Sequence, residues 1–191
     1  MRARALVALV CILQLVPLAG CKRRFSSRSD AGPPPVVAAA PAGYVEGHVL
    51  RTTSPTGGGG SMLLLADSAE TVALPIFIGG TEATTIDLRL RGDRYTRPLT
   101  HDILSETIHE LGGRAVQVQV DDLVSDTYRG TVVLERADGS FATLDARPSD
   151  CIALSLGEKV PVYVKKSVLD ANGVPVPAAG GAGRSRAPTT L

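Results

Sequence analysis

Strict alternation is clearest at Ala115–Asp121, where Val116, Val118 and Val120 fall on one face and Gln117 and Gln119 on the other, the pattern of a half-buried strand. Thr127–Arg136 and Ser140–Asp145 read as two more strands, joined as a hairpin around Asp138-Gly139. Upstream, Tyr44–Arg51 and Met62–Ala66 are strand-like and flank a loop containing Gly57-Gly58-Gly59-Gly60. Val72–Ile78 is a further apolar strand, with Pro75 marking an edge or a bulge. Helical spacing takes over at Thr81–Arg91, which places Ala83, Ile86 and Leu90 on one face and stops at Gly92. A second helix, with Thr100 as N-cap, aligns Leu104, Ile108 and Leu111 before Gly112. Pro148 suits the first turn of a third, running through Leu156 with Gly157 just beyond. Val160–Val164 is a short last strand, and a short helix at Lys166–Ala171 closes the pattern. Strands and helices are partly segregated, so the expected fold is α+β: a single compact domain, a mostly antiparallel or mixed sheet, three to four helices.

The chain has 191 residues, 44% hydrophobic and 20% charged, which fits one soluble core and excludes a largely disordered chain or a multi-span membrane protein. The two ends differ from the middle. Residues 1–20 combine Arg2 and Arg4 with an apolar run from Ala5 to Ala19, too short for a comfortable membrane span. The run ends in Leu18-Ala19-Gly20-Cys21, which resembles the lipobox of bacterial lipoproteins and implies cleavage before Cys21 and lipid on its sulfur. The alternative is a plain secretory signal followed by a chance cysteine. Residues 21–43, basic and then Pro/Ala-rich, read as a tether, residues 44–174 as the domain, and residues 175–191 as a disordered tail. Lipidation at Cys21 places the domain in the bacterial cell envelope, with Lys22 after the cysteine favouring the outer membrane by the same resemblance. Cys11 leaves with the signal, so Cys151 stands alone and no internal disulfide forms.

Charge also separates the middle of the chain from its ends. The whole chain carries +1, but residues 44–174 hold 12 Lys and Arg against 18 Asp and Glu, a net charge of −6. Such a domain repels phosphate backbones unless a cation or a local basic patch intervenes. Several chemistries lack their residues: there is no GxSxG elbow, no Lys-Ser/Thr after the glycine run, and no zinc-like spacing among His48, His101 and His109. Cys151, between apolar neighbours, has no motif that sets it beside a base.

Three segments are richer in polar and special residues than a plain core requires. They are Pro75-Ile76-Phe77-Ile78-Gly79-Gly80-Thr81-Glu82-Ala83, Arg97-Pro98-Leu99-Thr100-His101-Asp102, and Leu144-Asp145-Ala146-Arg147-Pro148-Ser149-Asp150-Cys151-Ile152-Ala153-Leu154. In this order and spacing they resemble the bifunctional nuclease (BFN) domain family, over about Tyr44 to Val174. The resemblance implies a compact α+β domain and activity on both DNA and RNA. Phe77 stands where a tryptophan is common and Cys151 where an alanine is usual, and the glycine run at 57–60 is a private loop.

Phosphodiester cleavage needs an activated water, neutralised phosphoryl charge and a stabilised leaving oxygen. Four residues in the shared segments, His101, Asp102, Asp145 and Asp150, are the catalytic candidates, with His101 as general base or as acid to the leaving group. Arg97 and Arg147 are candidates to hold phosphate. Glu82, Asp102 and Asp150, with Asp145, are candidate ligands for Mg2+ or Mn2+. Each also has a structural reading. Glu82, Asp102 and Asp150 lie at helix starts, where a carboxylate favours the dipole, Arg147 can pair with Asp145, and His101 can hydrogen-bond a loop. Two functions follow: an envelope-anchored nuclease with DNA or RNA as substrate, or a non-catalytic binding or assembly module that retains the fold. An exposed sheet edge or apolar face would add self-association as a homo-oligomer.

Overall fold

A computed structural model describes residues 39–53 and 60–177. The signal segment, Cys21, most of the tether and all but the first residues of the tail lie outside the described residues. The elements in chain order are β1 (Tyr44–Thr53), β2 (Ser61–Asp67), β3 (Val72–Ile78), α1 (Gly80–Arg91), α2 (Thr100–Glu110), β4 (Arg114–Val124), β5 (Thr127–Glu135), β6 (Phe141–Ala146), α3 (Pro148–Glu158), β7 (Val162–Lys165), α4 (Lys166–Asn172) and β8 (Val174–Pro175). The strands form one sheet in the order β6-β5-β4-β7-β1-β2-β3-β8. Every pairing is antiparallel except β4 with β7, which run parallel. The architecture is therefore α+β, with a mixed, mostly antiparallel sheet. Among the described residues no helix is long and apolar enough to cross a membrane.

The main core lies between the sheet and the helices. Leu63, Leu65, Leu74 and Ile76 meet Ile86 of α1, Ile108 of α2 and Ile152 and Leu154 of α3. In β2, Leu63 and Leu65 enter this core while Leu64 and Ala66 form a smaller one with Ala73, so both faces of the strand are covered. That is why its sequence is continuously apolar rather than alternating. Helix α3 packs on β4 and β5 and against both α1 and α2, and its residues Cys151 to Ser155 are all buried.

Several elements depart from the pattern read in the sequence. A bulge in β4 between Ala115 and Gln117 shifts the phase of the strand. Ala115, Val118 and Val120 then face the main core, Val116 leaves it, and Gln117 is buried rather than exposed, with no partner for its Oε1 among the described residues. Leu90, Leu104 and Leu111 are exposed, so Ile108 alone anchors the expected face of α2. Leu99, not Thr100, is the N-cap of α2. Helix α3 runs past Gly157 to Glu158 and ends at Lys159 in the left-handed conformation. The last expected strand starts two residues later, at Val162. Pro75 takes the expected edge position, since β8 pairs with β3 only at Val72 and Ala73.

One turn carries a prediction. The Asp67 carboxylate accepts bonds from the Thr71 N–H (2.7 Å), the Thr71 hydroxyl (2.8 Å) and the Val72 N–H (3.0 Å), closing β2 onto β3. The Val72 bond first, and the Thr71 bonds with it, hold the carboxyl below its ordinary range. The folded state thus favours the charged form, so the stabilisation is present at neutral pH and is lost as pH falls through the lowered pKa. Asp67→Ala is expected to cost about 1–2 kcal/mol at pH 7. It should cost progressively less as pH falls below the ordinary carboxylate range and the folded-state carboxyl takes up its proton. Urea midpoints of the two proteins at each pH check it.

Candidate functional site

The N-termini of α1, α2 and α3 open onto one cleft of about 480 Å³, lined by Thr81, Glu82, Tyr95, His101, Arg147 and Asp150 among others. Each helix starts for a local reason. Gly79 and Gly80 open α1, and a Cβ at Gly79 would displace the Glu82 carboxylate that folds back over it. Pro148 at the first helical position opens α3. None of the three N-caps is satisfied by its own side chain. Instead each helix carries an acid in its first turn: Glu82, Asp102 and Asp150.

Two of these acids enter the cleft. Arg147 Nε donates to Asp150 Oδ2 at 2.7 Å, and its Nη2 donates to Asp150 Oδ1 at 3.1 Å and to Glu82 Oε1 at 2.7 Å. His101 Nε2 lies 3.1 Å from Asp150 Oδ1. One residue from each helix start and one N-cap arginine are thereby brought together, with Arg147 reaching across 65 residues of sequence to Glu82. Burial raises the Asp150 pKa, but the bonds from Arg147 and His101 outweigh it and leave the group low. Glu82 is held low by its own backbone N–H and then by Arg147. Arg147 is raised by Asp150 first and Glu82 second, so it stays charged while its side chain remains 64% exposed.

The other sequence candidates lie elsewhere. Asp102 turns away from the cleft: it accepts from the Leu99 N–H at 2.8 Å and from Arg89 Nη2 at 2.6 Å. Burial raises its pKa, and these two bonds bring it below the ordinary range. Asp145 pairs across β5–β6 with Thr131, one position from the Gly130–Ala146 pair that faces Cys151 of α3. Strand alternation therefore sends Asp145 to the face opposite the cleft, and it forms none of the ion pairs with Arg147. Arg97 is exposed in the loop between α1 and α2 and does not line the cleft. Sequence reading missed Arg89, whose spacing from Glu82 and Ile86 (seven and three residues) puts it on an inward stripe of α1, and the threonines Thr81, Thr84, Thr85 and Thr100 along the cleft.

Among the described residues no three His, Cys, Asp or Glu side chains converge as metal ligands. Glu82 and Asp150 already share Arg147, so the donors present do not form a ready Mg2+ or Mn2+ site. What they do form is an imidazole oriented by a carboxylate, beside an exposed guanidinium. Three helix N-termini add positive partial charge at the same place. That combination suits a phosphate and a proton transfer near it.

The profile of the bifunctional nuclease domain matches residues 63–177. The matched stretch begins inside β2 and leaves out β1, which the structure places within the sheet, between β2 and β7. An uncharacterized protein of Mycobacterium tuberculosis strain H37Rv is 36% identical over 116 residues, 61% of this chain and 68% of that protein. The protein named bifunctional nuclease 1 of Oryza sativa subsp. japonica is 27% identical over 130 residues, 67% of this chain and 39% of the rice protein. Bifunctional nuclease 2 of the same plant is 26% identical over 115 residues, 59% of this chain and 35% of that protein. The chain thus spans well under half the length of the rice proteins that carry the nuclease name.

Proposed function

Since the chain belongs to the bifunctional nuclease domain family, we propose that it hydrolyses phosphodiester bonds of DNA and RNA in the cleft at the three helix N-termini. The observation that carries this reading is the His101–Asp150 pair set beside Arg147. Arg147 would donate to the non-bridging oxygens of the scissile phosphate through Nη1, since Nε and Nη2 already donate to Asp150 and Glu82. With Nε2 committed to Asp150, His101 Nδ1 is the ring nitrogen left to exchange a proton with water or the leaving oxygen. Water oxygen forms the new bond to phosphorus, the old P–O bond breaks, and the water's proton ends on the leaving oxygen or the solvent. Glu82 keeps Arg147 aimed across the cleft. Mg2+ or Mn2+ would compete with Arg147 for Glu82 and Asp150, and no step here passes through a metal.

The test is turnover of single- and double-stranded DNA and RNA by the full chain with Mg2+, Mn2+ or EDTA. A protein carrying His101→Ala and Asp150→Asn, made in parallel, guards against contaminating nuclease. Turnover that vanishes in the paired variant supports the reading, and its response to EDTA decides whether a metal takes part. Equal turnover in both proteins, with both folded, favours the second reading, a binding module, which the double tie of Arg147 to two carboxylates also supports. Anchoring in the bacterial envelope through lipid on Cys21 is a separate part of the proposal. Its mark is membrane association that Cys21→Ser abolishes.

A further inference from the structure

Arg89 lies two turns beyond Glu82 on α1, outside the cleft, yet only 10% of its side chain is exposed. A buried guanidinium persists only where its donors are met. One Nη donates to Asp102 Oδ1 on α2 at 2.6 Å, and the other donates to the Ala153 carbonyl on α3. Ala153 is the residue whose carbonyl the N–H of Gly157 would meet in the α-helical ladder. A Cβ at Gly157 would collide with the Arg89 guanidinium. Glycine inside a helix is less favourable than alanine, and here it leaves the passage through which Arg89 reaches α3. Two independent features, an internal glycine and a buried charge, therefore serve one junction of three helices.

Those three helices are the ones that supply the cleft. Asp102 follows His101 directly, and its other oxygen takes the Leu99 N–H, so the first turn of α2 is fixed to Arg89. We propose that Arg89 is a positioning residue that, through Asp102 and the space left by Gly157, sets α2 against α1 and α3 so that His101 meets Asp150. This rests on the nuclease reading of the cleft for its effect on turnover, but not for its effect on His101. Asp102 then serves position rather than chemistry. Lysine cannot replace the arginine, because one ammonium on a flexible stem lacks the planar fork that reaches both helices.

The experiment uses full chains with Gly157→Ala, Arg89→Lys and Asp102→Asn, each checked for cooperative unfolding. Gly157→Ala is the decisive variant, since alanine favours the helix while evicting the guanidinium. The His101 ring signals in 1H–13C NMR are expected to move in Gly157→Ala, in the same direction as in Asp150→Asn. Turnover is expected to fall about 10- to 100-fold, mainly in kcat, because orientation is lost rather than binding. A folded Gly157→Ala protein with His101 signals and kcat at wild-type values would overturn the proposal. Moved signals in a protein whose parent shows no turnover would leave the positioning role standing and remove the nuclease reading.

Discussion

His101→Ala is expected to lower turnover on DNA and RNA by about 10²- to 10⁴-fold, the usual range for losing a positioned acid–base group. The loss should fall on kcat more than on KM, because Arg147 and the helix N-termini, which bind phosphate in the proposed scheme, remain. Asp150→Asn should cost a comparable factor by a different route. It keeps the shape of the side chain but gives up the charge that orients the imidazole and half of the hold on Arg147. The two changes act on one unit, so the double variant should be hardly slower than the worse single one. Steady-state rates of the four proteins test this. Losses that multiply would mean that His101 and Asp150 work separately, against their 3.1 Å contact.

Ile152→Ala is expected to destabilise the protein by about 2–5 kcal/mol. Ile152 is 0% exposed and sits on α3, the helix that touches α1, α2, β4 and β5 together. A cavity there has rigid walls on every side, so little collapse relieves it. Ile103→Ala on α2, where the side chain is 56% exposed, should stay within about 0.5 kcal/mol of the parent. Urea denaturation of both variants decides it. Ile152 follows Asp150 by two residues on the same helix, so Ile152→Ala should also lower turnover before it unfolds the chain.

The positions of the elements were legible because their signals are local. Val72–Ile78 and the hairpin at Asp138-Gly139 needed only an apolar run and a turn. Four of the candidate residues, Glu82, His101, Arg147 and Asp150, meet because helix starts face one way once the helices pack side by side. The sequence does not distinguish Asp102 from Asp150, since both are first-turn acids. Their fates part only through Arg89, a partner that tertiary packing supplies. Asp145 needed the parity of a cross-strand pair, which shifts by one residue with any change of register. Gly157 carried the ordinary signal of a helix stop, and that signal is the same whether glycine ends a helix or clears space beside it.

The order of the strands also bears on how the chain assembles. β4, β5 and β6 form one meander and β1, β2 and β3 another, each closed by neighbours in sequence. Only β7, the four residues Val162–Lys165, joins them, parallel to β4 on one side and antiparallel to β1 on the other. The two halves can gain local structure early, but the sheet becomes continuous only when this late segment threads between them. Loop-closure entropy over more than a hundred residues, from Tyr44 to its partner Lys165, is paid at that step. A chain interrupted before Val162 would hold two meanders bridged through the packing of the helices alone, with no strand between them, so the sheet beneath the cleft would become continuous only after this last strand has been laid down.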